Sequence, residues 1–225
     1  MNYRLFKSIT VLDLALVILW FVLMIAGVLI NGPIVTQDDA IQLISDRSLL
    51  FTLTYANAVV FTILTTFVFV GLYRYCRDSN EELSLIGLIL VPVYSILNIA
   101  VYFSQIALVP ALMQIFSTGE NEIQKLILTQ FVQACPGSSM AVLNNLAYAI
   151  LGISSIVFGA VLITKDKYAR RTALFLIGNG AACILGITGM LFNITFLAYG
   201  SALGGVLFIG ALIFLGMLFT GEDES

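Results

Sequence analysis

The sequence contains no histidine, and only 10% of its 225 residues are charged. A soluble domain of this size carries about 25% charged residues. The scarcity of charge leaves several uncharged stretches of about 20 residues, the length that a helix needs to cross a bilayer. In lipid each segment must satisfy its own backbone polar groups, so we interpret each stretch as a helix. A transmembrane barrel would instead show alternating segments of about 10 residues, and the sequence has none.

Six such stretches predict an all-α membrane protein built as a six-transmembrane-helix bundle. Their approximate bounds are 11–31, 49–73, 84–109, 139–164, 172–193 and 196–219. Because they occupy most of the chain, we expect residues 1–225 to form a single integral membrane domain. Arg4 and Lys7 precede the first stretch, but its apolar run is too long for a signal peptide, so we expect a permanent anchor.

The basic residues predict the orientation of the bundle. Eight of the ten lysines and arginines fall in the N-terminus or in the loops after the second and fourth stretches: Arg4, Lys7, Arg74, Arg77, Lys165, Lys167, Arg170 and Arg171. Arg47 and Lys125 fall on the other side. Cytoplasmic loops carry an excess of lysine and arginine. We therefore expect a multi-pass plasma membrane protein with both termini in the cytoplasm.

Two connections on the predicted outer side are long enough for short amphipathic helices. After the first stretch, Thr36 or Asp38 can cap a helix whose Ile41 and Ile44 face the bilayer or the bundle. In residues 110–137, four apolar side chains recur at helical spacing: Ile123, Leu126, Ile127 and Phe131. This pattern predicts an amphipathic helix in the outer interface or over the mouth of the bundle.

Small residues recur at four-residue spacing in the last three stretches. The rows are Ser155 with Gly159, Gly178 with Ala182 and Gly186, and Gly200 with Gly204. Such rows let helix backbones approach each other in lipid, where no hydrophobic force drives helices together. They predict tight packing within one bundle. The alternative is contact with a second copy or another membrane protein through the glycine-rich fifth and sixth spans.

The missing residue types also restrict the chemistry. Without histidine, a zinc site lacks its commonest partner ligand. Cys76, Cys135 and Cys183 lie at different depths, so neither a disulfide nor a metal site is expected. We expect Asp13 at the membrane interface, which leaves the spans without the buried acid or histidine on which proton-coupled transport relies. We therefore predict neither an enzyme nor a cofactor or metal site, and no nucleic-acid partner.

Amides and phenols are conspicuous within the apolar stretches. The third span carries four of them on one helical face, at steps of four, four and three: Tyr94, Asn98, Tyr102 and Gln105. Because an amide that faces lipid is costly, we expect Asn98 and Asn144 to turn inward and meet. Asn144 and Asn145 point about 100° apart on a helix, so the sequence does not decide which of the two faces the core.

Two interpretations of these polar side chains remain open. In the first, the amides only join helices, through hydrogen bonds of about 0.6–2 kcal/mol. In the second, they line an outward-facing cavity between spans two, three and four, with the polar groups and aromatic walls of a small-molecule pocket. The predicted ligand-binding residues are Asn57, Tyr94, Asn98, Tyr102, Gln105, Asn144, Asn145 and Tyr148.

Two segments carry a resemblance to a known family. They are "DDAIQLISDRSLLFTLTYANAVVFTILTTFVFVGLY" and "NLAYAILGISSIVFGAVLITKDKYARRTALFLIGNGAACILG", and the second contains the pair Phe158-Gly159 before a basic loop and a glycine-rich span. Together they resemble a broad family of six-helix prokaryotic membrane proteins catalogued as a domain of unknown function. This chain lacks the proline often found in that basic loop. The resemblance implies the six-helix fold and a prokaryotic plasma membrane, and it implies no catalytic residues.

The sequence supports two hypotheses about function. The first is a protein that binds a neutral or amphiphilic small molecule, or a membrane lipid, in an outward-facing pocket and acts as a carrier or a sensor. The second is a structural or regulatory membrane subunit. Its buried amides only join helices, and it acts through a partner protein.

Overall fold

A computed structural model describes residues 3–32, 34, 36, 39, 42, 49–116, 122–135 and 137–221. The helices are α1 (Arg4–Asn31), α2 (Leu49–Cys76), α3 (Glu81–Phe116), α4 (Glu122–Phe131), α5 (Ser139–Leu162), α6 (Lys167–Leu191), α7 (Thr195–Ala198) and α8 (Gly200–Gly221). Six segments in the described ranges are long and apolar enough to cross a membrane: α1, α2, α3, α5, α6, and α7 together with α8. The prediction of an all-α, six-helix membrane bundle is confirmed.

The third span is longer than predicted. It runs for 36 residues and contains both Pro92, which lies inside the predicted span, and Pro110, at which the sequence predicts the start of a loop. Proline removes one helical hydrogen bond, but in lipid an unwound segment would leave several backbone groups unsatisfied. At 1.5 Å per residue the helix is about 54 Å long. It therefore extends beyond a hydrocarbon core of about 30 Å.

The six spans form a closed ring. Each span packs against the next one in the chain, in the order α1, α2, α3, α5, α6 and α8, and α8 packs back against α1. The shortest connections make consecutive spans antiparallel neighbours, as between α6, which ends at Leu191, and α7, which begins at Thr195. Few contacts run across the middle of the ring. The centre of the ring is therefore the place where space is left.

Close backbone contacts hold α5, α6 and α8 together. Gly152 on α5 faces Gly180 on α6, and a β-carbon on Gly152 would lie 2.9 Å from the Gly180 carbonyl oxygen. Gly200 on α8 meets Ala182 and Gly186 in the same way. Ala182, Gly186 and Gly200 belong to the predicted small-residue rows and pack within the bundle, where they let the backbones approach. Gly152 and Gly180 are not part of those rows. Contact of such a row with a second copy stays a prediction.

The two faces of the ring differ in charge. We name the face that carries Tyr3, Cys76, Asp166 and Gly221 the terminal face, and the face that carries Gly32 and the α4–α5 connection the loop face. The eight basic residues grouped above all lie near helix ends on the terminal face. The described basic residues are therefore concentrated on one face of the ring, the terminal face.

Aromatic rings and a basic side chain join the helix ends at the terminal face. The Tyr3 ring stacks on Phe219 with 5.7 Å between ring centroids, which ties α1 to α8. The Lys165 ammonium lies 4.2 Å from the centroid of the Tyr75 ring and donates to the Tyr75 carbonyl oxygen at 3.1 Å. These contacts connect α2 with the loop between α5 and α6.

Asp166 caps the N-terminus of α6. Its carboxylate accepts hydrogen bonds from the N–H groups of Tyr168 at 2.8 Å and Ala169 at 3.1 Å. The Tyr75 hydroxyl also donates to it at 3.1 Å. Partial burial raises the pKa of Asp166, but these hydrogen bonds together outweigh burial and hold the pKa below its usual value.

On the loop face, Thr36 makes the hydrogen bonds that are expected of the predicted cap. The Thr36 N–H donates to the Asp39 carboxylate at 2.7 Å, and the Asp39 N–H donates to the Thr36 hydroxyl at 3.2 Å. This reciprocal pattern is a capping box, with aspartate in the place of the usual glutamate or glutamine. Asp38, Ile41 and Ile44 lie outside the described residues.

The second predicted amphipathic helix is α4. Its Leu128 and Thr129 are buried against the bundle, whereas Ile123, Leu126 and Ile127 are exposed. An exposed apolar face on a helix at the edge of a membrane protein suits contact with the interfacial lipid.

Candidate functional site

A cavity of about 240 Å³ lies in the middle of the ring. All six spans contribute to its wall, together with one residue of the α4–α5 connection. Its polar lining residues are Thr65, Tyr94, Gln133, Asn144, Asn145, Tyr148, Asn179 and Ser201. Its larger apolar lining residues are Val17, Trp20, Phe21, Met24, Phe61, Leu151 and Phe208. The wall therefore combines neutral hydrogen-bonding groups with aromatic rings, and no charged side chain of the described residues lines it.

Asn98 and Asn144 meet, as predicted. Asn144 Nδ2 donates to Asn98 Oδ1 at 2.9 Å, and Gln133 Nε2 donates to Asn144 Oδ1 at 3.3 Å. The Tyr55 hydroxyl in turn donates to Gln133 Oε1 at 2.8 Å. Four side chains thus link α2, α3 and α5 with the α4–α5 connection. Asn98 lies behind the wall of the cavity with 0% exposure, and its Nδ2 has no hydrogen-bond partner in the described part of the chain.

Asn145 joins a different helix. Its Oδ1 accepts a hydrogen bond from the Ser201 hydroxyl on α8 at 2.6 Å. Its Nδ2 donates to the Ala141 carbonyl oxygen one turn earlier at 2.9 Å. Asn144 and Asn145 both line the cavity, and they connect α5 to opposite sides of the ring.

Two of the three predicted tyrosines line the cavity. The Tyr94 and Tyr148 rings lie 5.9 Å apart in a tilted arrangement, and both belong to the wall. Tyr102 packs behind them with 1% exposure, and its hydroxyl lies 2.6 Å from the Tyr148 hydroxyl. A hydrogen bond between the two hydroxyls fixes the orientation of the Tyr148 ring.

Gln105 holds the α4–α5 connection and does not line the cavity. Its Oε1 accepts from the Gln133 N–H at 3.0 Å, and its Nε2 donates to the Phe131 carbonyl oxygen at 2.9 Å. It thereby binds backbone groups at and beyond the end of α4, where a helix leaves carbonyl groups unsatisfied. Because Gln133 also donates to Asn144, Gln105 positions one polar residue of the wall.

Asn57 lies in the contact between α1 and α2 and does not line the cavity. Its Nδ2 donates to the Leu16 carbonyl oxygen at 2.9 Å. Four predicted site residues therefore line the cavity: Tyr94, Asn144, Asn145 and Tyr148. The other four pack behind its wall or hold neighbouring segments: Asn57, Asn98, Tyr102 and Gln105.

The sequence analysis missed the first, fifth and sixth spans as parts of the wall. Asn179 on α6 could have been found, because an amide within an apolar stretch carried the other assignments. Its Nδ2 donates to the Gly204 carbonyl oxygen on α8 at 2.9 Å. Trp20 and Phe208 carry no comparable signal, because an aromatic residue is common in any membrane span. They enter the site only through the closure of α8 on α1.

The cavity opens sideways between α1 and α8. Three lining residues, Met24, Ala198 and Ala202, are exposed on the outside of the ring. A smaller cleft of about 70 Å³ between the loop-face ends of α1 and α2 shares Met24 with the cavity. The exposed lining residues therefore lie towards the loop face and give the cavity access to the surrounding membrane there.

Asp13 is not at the membrane interface, and this prediction is wrong. Asp13 lies on the buried side of α1, together with Thr10 and Val17, and its exposure is 0%. The helix α1 packs against α2. The Thr65 hydroxyl donates to Asp13 Oδ2 at 3.0 Å. Asp13 Oδ1 has no hydrogen-bond partner within the described ranges. The inference that the spans contain no buried acid is therefore also wrong.

No cluster of three or more histidine, cysteine, aspartate or glutamate side chains that could hold a metal ion occurs in the described residues.

The comparisons with known proteins give no relative: no protein-family model, no curated protein and no solved structure matches this chain. Membership of the six-helix prokaryotic family therefore stays a prediction.

Proposed function

We propose that the protein binds a neutral or amphiphilic small molecule, or a membrane lipid, in the central cavity and acts as a carrier or a sensor. The observation that carries this proposal is the composition of the wall. Amide and hydroxyl groups from α5, α6 and α8 face the rings of Trp20, Phe21 and Phe61 across one space. A few placed polar groups among apolar and aromatic walls are typical of small-molecule sites.

The volume of the cavity supports a small ligand or part of a larger one. An apolar cavity of about 150 Å³ is enough for benzene, and drug-sized ligands occupy sites of about 300–1,000 Å³. The space of about 240 Å³ falls between these sizes. It suits a compact aromatic molecule, or one segment of a lipid that enters through the opening beside Met24 and Ala202.

The distribution of charge supports an orientation for this site. If the basic terminal face lies in the cytoplasm, both termini do as well, and the opening of the cavity lies in the outer half of the membrane. The resemblance described above adds the proposal that this membrane is a prokaryotic plasma membrane. We propose no enzymatic activity, no cofactor and no nucleic-acid partner.

A structural or regulatory subunit is the second candidate, and a specific observation favours it. Several buried amides are occupied by contacts within the bundle, as in the Asn98–Asn144 pair and in the contacts of Gln105 with Phe131 and Gln133. Such contacts are the ones that join helices in membranes. In this case the partner is a second copy or another membrane protein that packs on the outer surface of α6 or α8.

Native mass spectrometry of the detergent-purified protein tests the proposal. We expect the wild-type protein to retain one small molecule or lipid, and Ala202→Phe, which puts a ring in the opening, to lose it. The matched control is Leu203→Phe, because Leu203 is the next residue on α8, is exposed and does not line the cavity. Equal retention by the two variants would contradict binding in the cavity, and retention of a protein partner alone would favour the structural subunit.

A further inference from the structure

Asp13 is an isolated acid in the interior of the bundle. It is fully buried, its one hydrogen bond comes from Thr65, and its Oδ1 has no partner among the described residues. A charged carboxylate in such surroundings is strongly disfavoured unless a counter-charge is present. Acids within membrane spans are rare and mark ion, proton or ligand sites more often than structural contacts.

One hydroxyl group connects Asp13 to the cavity. Thr65 lines the cavity and donates to Asp13 Oδ2 at 3.0 Å, so a single side chain lies between the carboxylate and the ligand space. Val17, one helical turn from Asp13 on the same side of α1, lines the cavity as well. The carboxylate therefore lies at the end of the cavity nearer the terminal face.

The wall next to this acid is rich in aromatic rings. Six lining residues are aromatic: Trp20, Phe21, Phe61, Tyr94, Tyr148 and Phe208. The faces of such rings attract cations, and the attraction reaches about 2 kcal/mol or more where water is excluded. No lysine or arginine of the described residues lines the cavity and could occupy this position instead.

Few other titratable groups act on Asp13. Asp13 lies on α1, which packs against α2 and α8, and α8 carries no titratable side chain. On α2, Thr65 is the side chain that interacts with the carboxylate, and Tyr94 on α3 is the titratable side chain within electrostatic range. The charge on Asp13 is therefore not compensated by any basic group of the described protein.

We propose that the cavity takes a lipophilic organic cation, for which Asp13 supplies the counter-charge, and that Asp13 holds a proton when no cation is bound. The proposal rests on the proposed binding function and names its ligand class. The exchange of a proton for the cation conserves charge at the site, because the neutral carboxylic acid of Asp13 releases its proton to solvent as the cation enters. Both states of the site are then electrically neutral, so neither buries an unpaired charge.

Calorimetry with two probes of equal shape tests this proposal. Benzyltrimethylammonium is a compact aromatic cation, and neopentylbenzene has the same shape without the charge. We expect the cation to bind the wild-type protein more tightly as the pH rises, with release of about one proton per bound cation. In D13N, which resembles the protonated acid in shape, we expect the cation to bind about tenfold more weakly or worse, without pH dependence. The neutral probe should bind both proteins equally.

Asp78→Asn is the matched control, because Asp78 is an exposed acid on the terminal face, with 84% of its side chain accessible. It should behave as wild type. Equal affinity of the cation for D13N and wild type would overturn the proposal. Binding of the neutral probe alone would overturn it and leave the proposed binding function standing, whereas binding of neither probe would contradict both. If D13N does not fold, the proposal is tested by the proton release that accompanies cation binding to the wild-type protein. Release of a proton supports the exchange, and its absence refutes the exchange.

Discussion

The hydrogen bond between Asn98 and Asn144 should be measurable as an energetic coupling between α3 and α5. We consider the single variants Asn98→Leu and Asn144→Leu and the double variant, in which both amides are replaced by apolar groups of similar size. Each single variant leaves the other amide of the pair without its partner, and Asn144→Leu also leaves Gln133 Nε2 without one. The double variant leaves neither amide of the pair unpaired, so its effect on stability should be smaller than the sum of the single effects.

The geometry sets the size of these effects. The donor–acceptor distance is 2.9 Å, and Asn98 lies behind the wall of the cavity with 0% exposure, so water cannot easily replace the lost partner of Asn98. A buried polar group left unpaired costs about 1–3 kcal/mol. Interhelical hydrogen bonds in membranes average about 0.6 kcal/mol, with a maximum of about 1.7 kcal/mol. Asn144→Leu should be the worse single variant, because Asn144 also accepts from Gln133.

Equilibrium unfolding in detergent micelles, followed by circular dichroism, measures the free energy of each variant. We expect the double variant to fall short of the sum of the single effects by about 0.6–1.7 kcal/mol. The control pair is Asn98→Leu with Asn57→Leu, since Asn57 bonds to the Leu16 backbone and shares no partner with Asn98. Its effects should add to within about 0.5 kcal/mol. Additive effects for Asn98 and Asn144 would refute the pairing of the two amides.

Three further predictions follow from contacts outside the amide pair. Gly180→Ala should destabilise the bundle by about 1–3 kcal/mol in the same unfolding assay, because its β-carbon would strike the α5 backbone; Gly216→Ala, which meets nothing within 4 Å, should not. Folding lowers the pKa of Asp166. The stabilisation that the Asp166 carboxylate contributes is therefore fully present above the pKa of the unfolded state, and it is lost as the pH falls through the pKa of the folded state. Asp166→Ala should therefore lose about 1 kcal/mol at neutral pH and show a weaker loss of stability than wild type below about pH 4. Gln105→Leu should free the α4–α5 connection and speed proteolysis there, while the overall helix content measured by circular dichroism stays unchanged.

The helices could be predicted because length and apolarity alone decide them in a membrane. The rule fails at details such as Pro110, where a proline is a loop signal in water but lies within α3 here. Likewise the cost of a lipid-facing amide is enough to predict that Asn98 and Asn144 meet. It does not distinguish residues that line a cavity from those behind its wall, as the outcome for Tyr102 shows. That distinction depends on helix rotations of a few tens of degrees.

The aromatic part of the site could not be predicted from the sequence. Trp20 and Phe208 are far apart in the chain and reach one cavity because α8 packs back on α1. Ring closure of this kind is a tertiary property without a local pattern. Asp13 was misjudged for a related reason: its distance from the start of the span suggests the interface, but the side of α1 on which it lies faces α2 and the interior.

Trp20 provides the most direct test of the cavity, because it is the single tryptophan of the sequence and lines that cavity. Bromobenzene, a neutral heavy-atom quencher of about the right size, can be titrated into the purified protein in detergent while tryptophan emission is recorded. If the cavity accepts a neutral ligand, quenching should saturate in the wild-type protein and in Leu203→Phe, and rise without saturation in Ala202→Phe. Identical unsaturable quenching in all three proteins would mean that bromobenzene reaches Trp20 only by partitioning into the micelle, and would contradict a binding cavity.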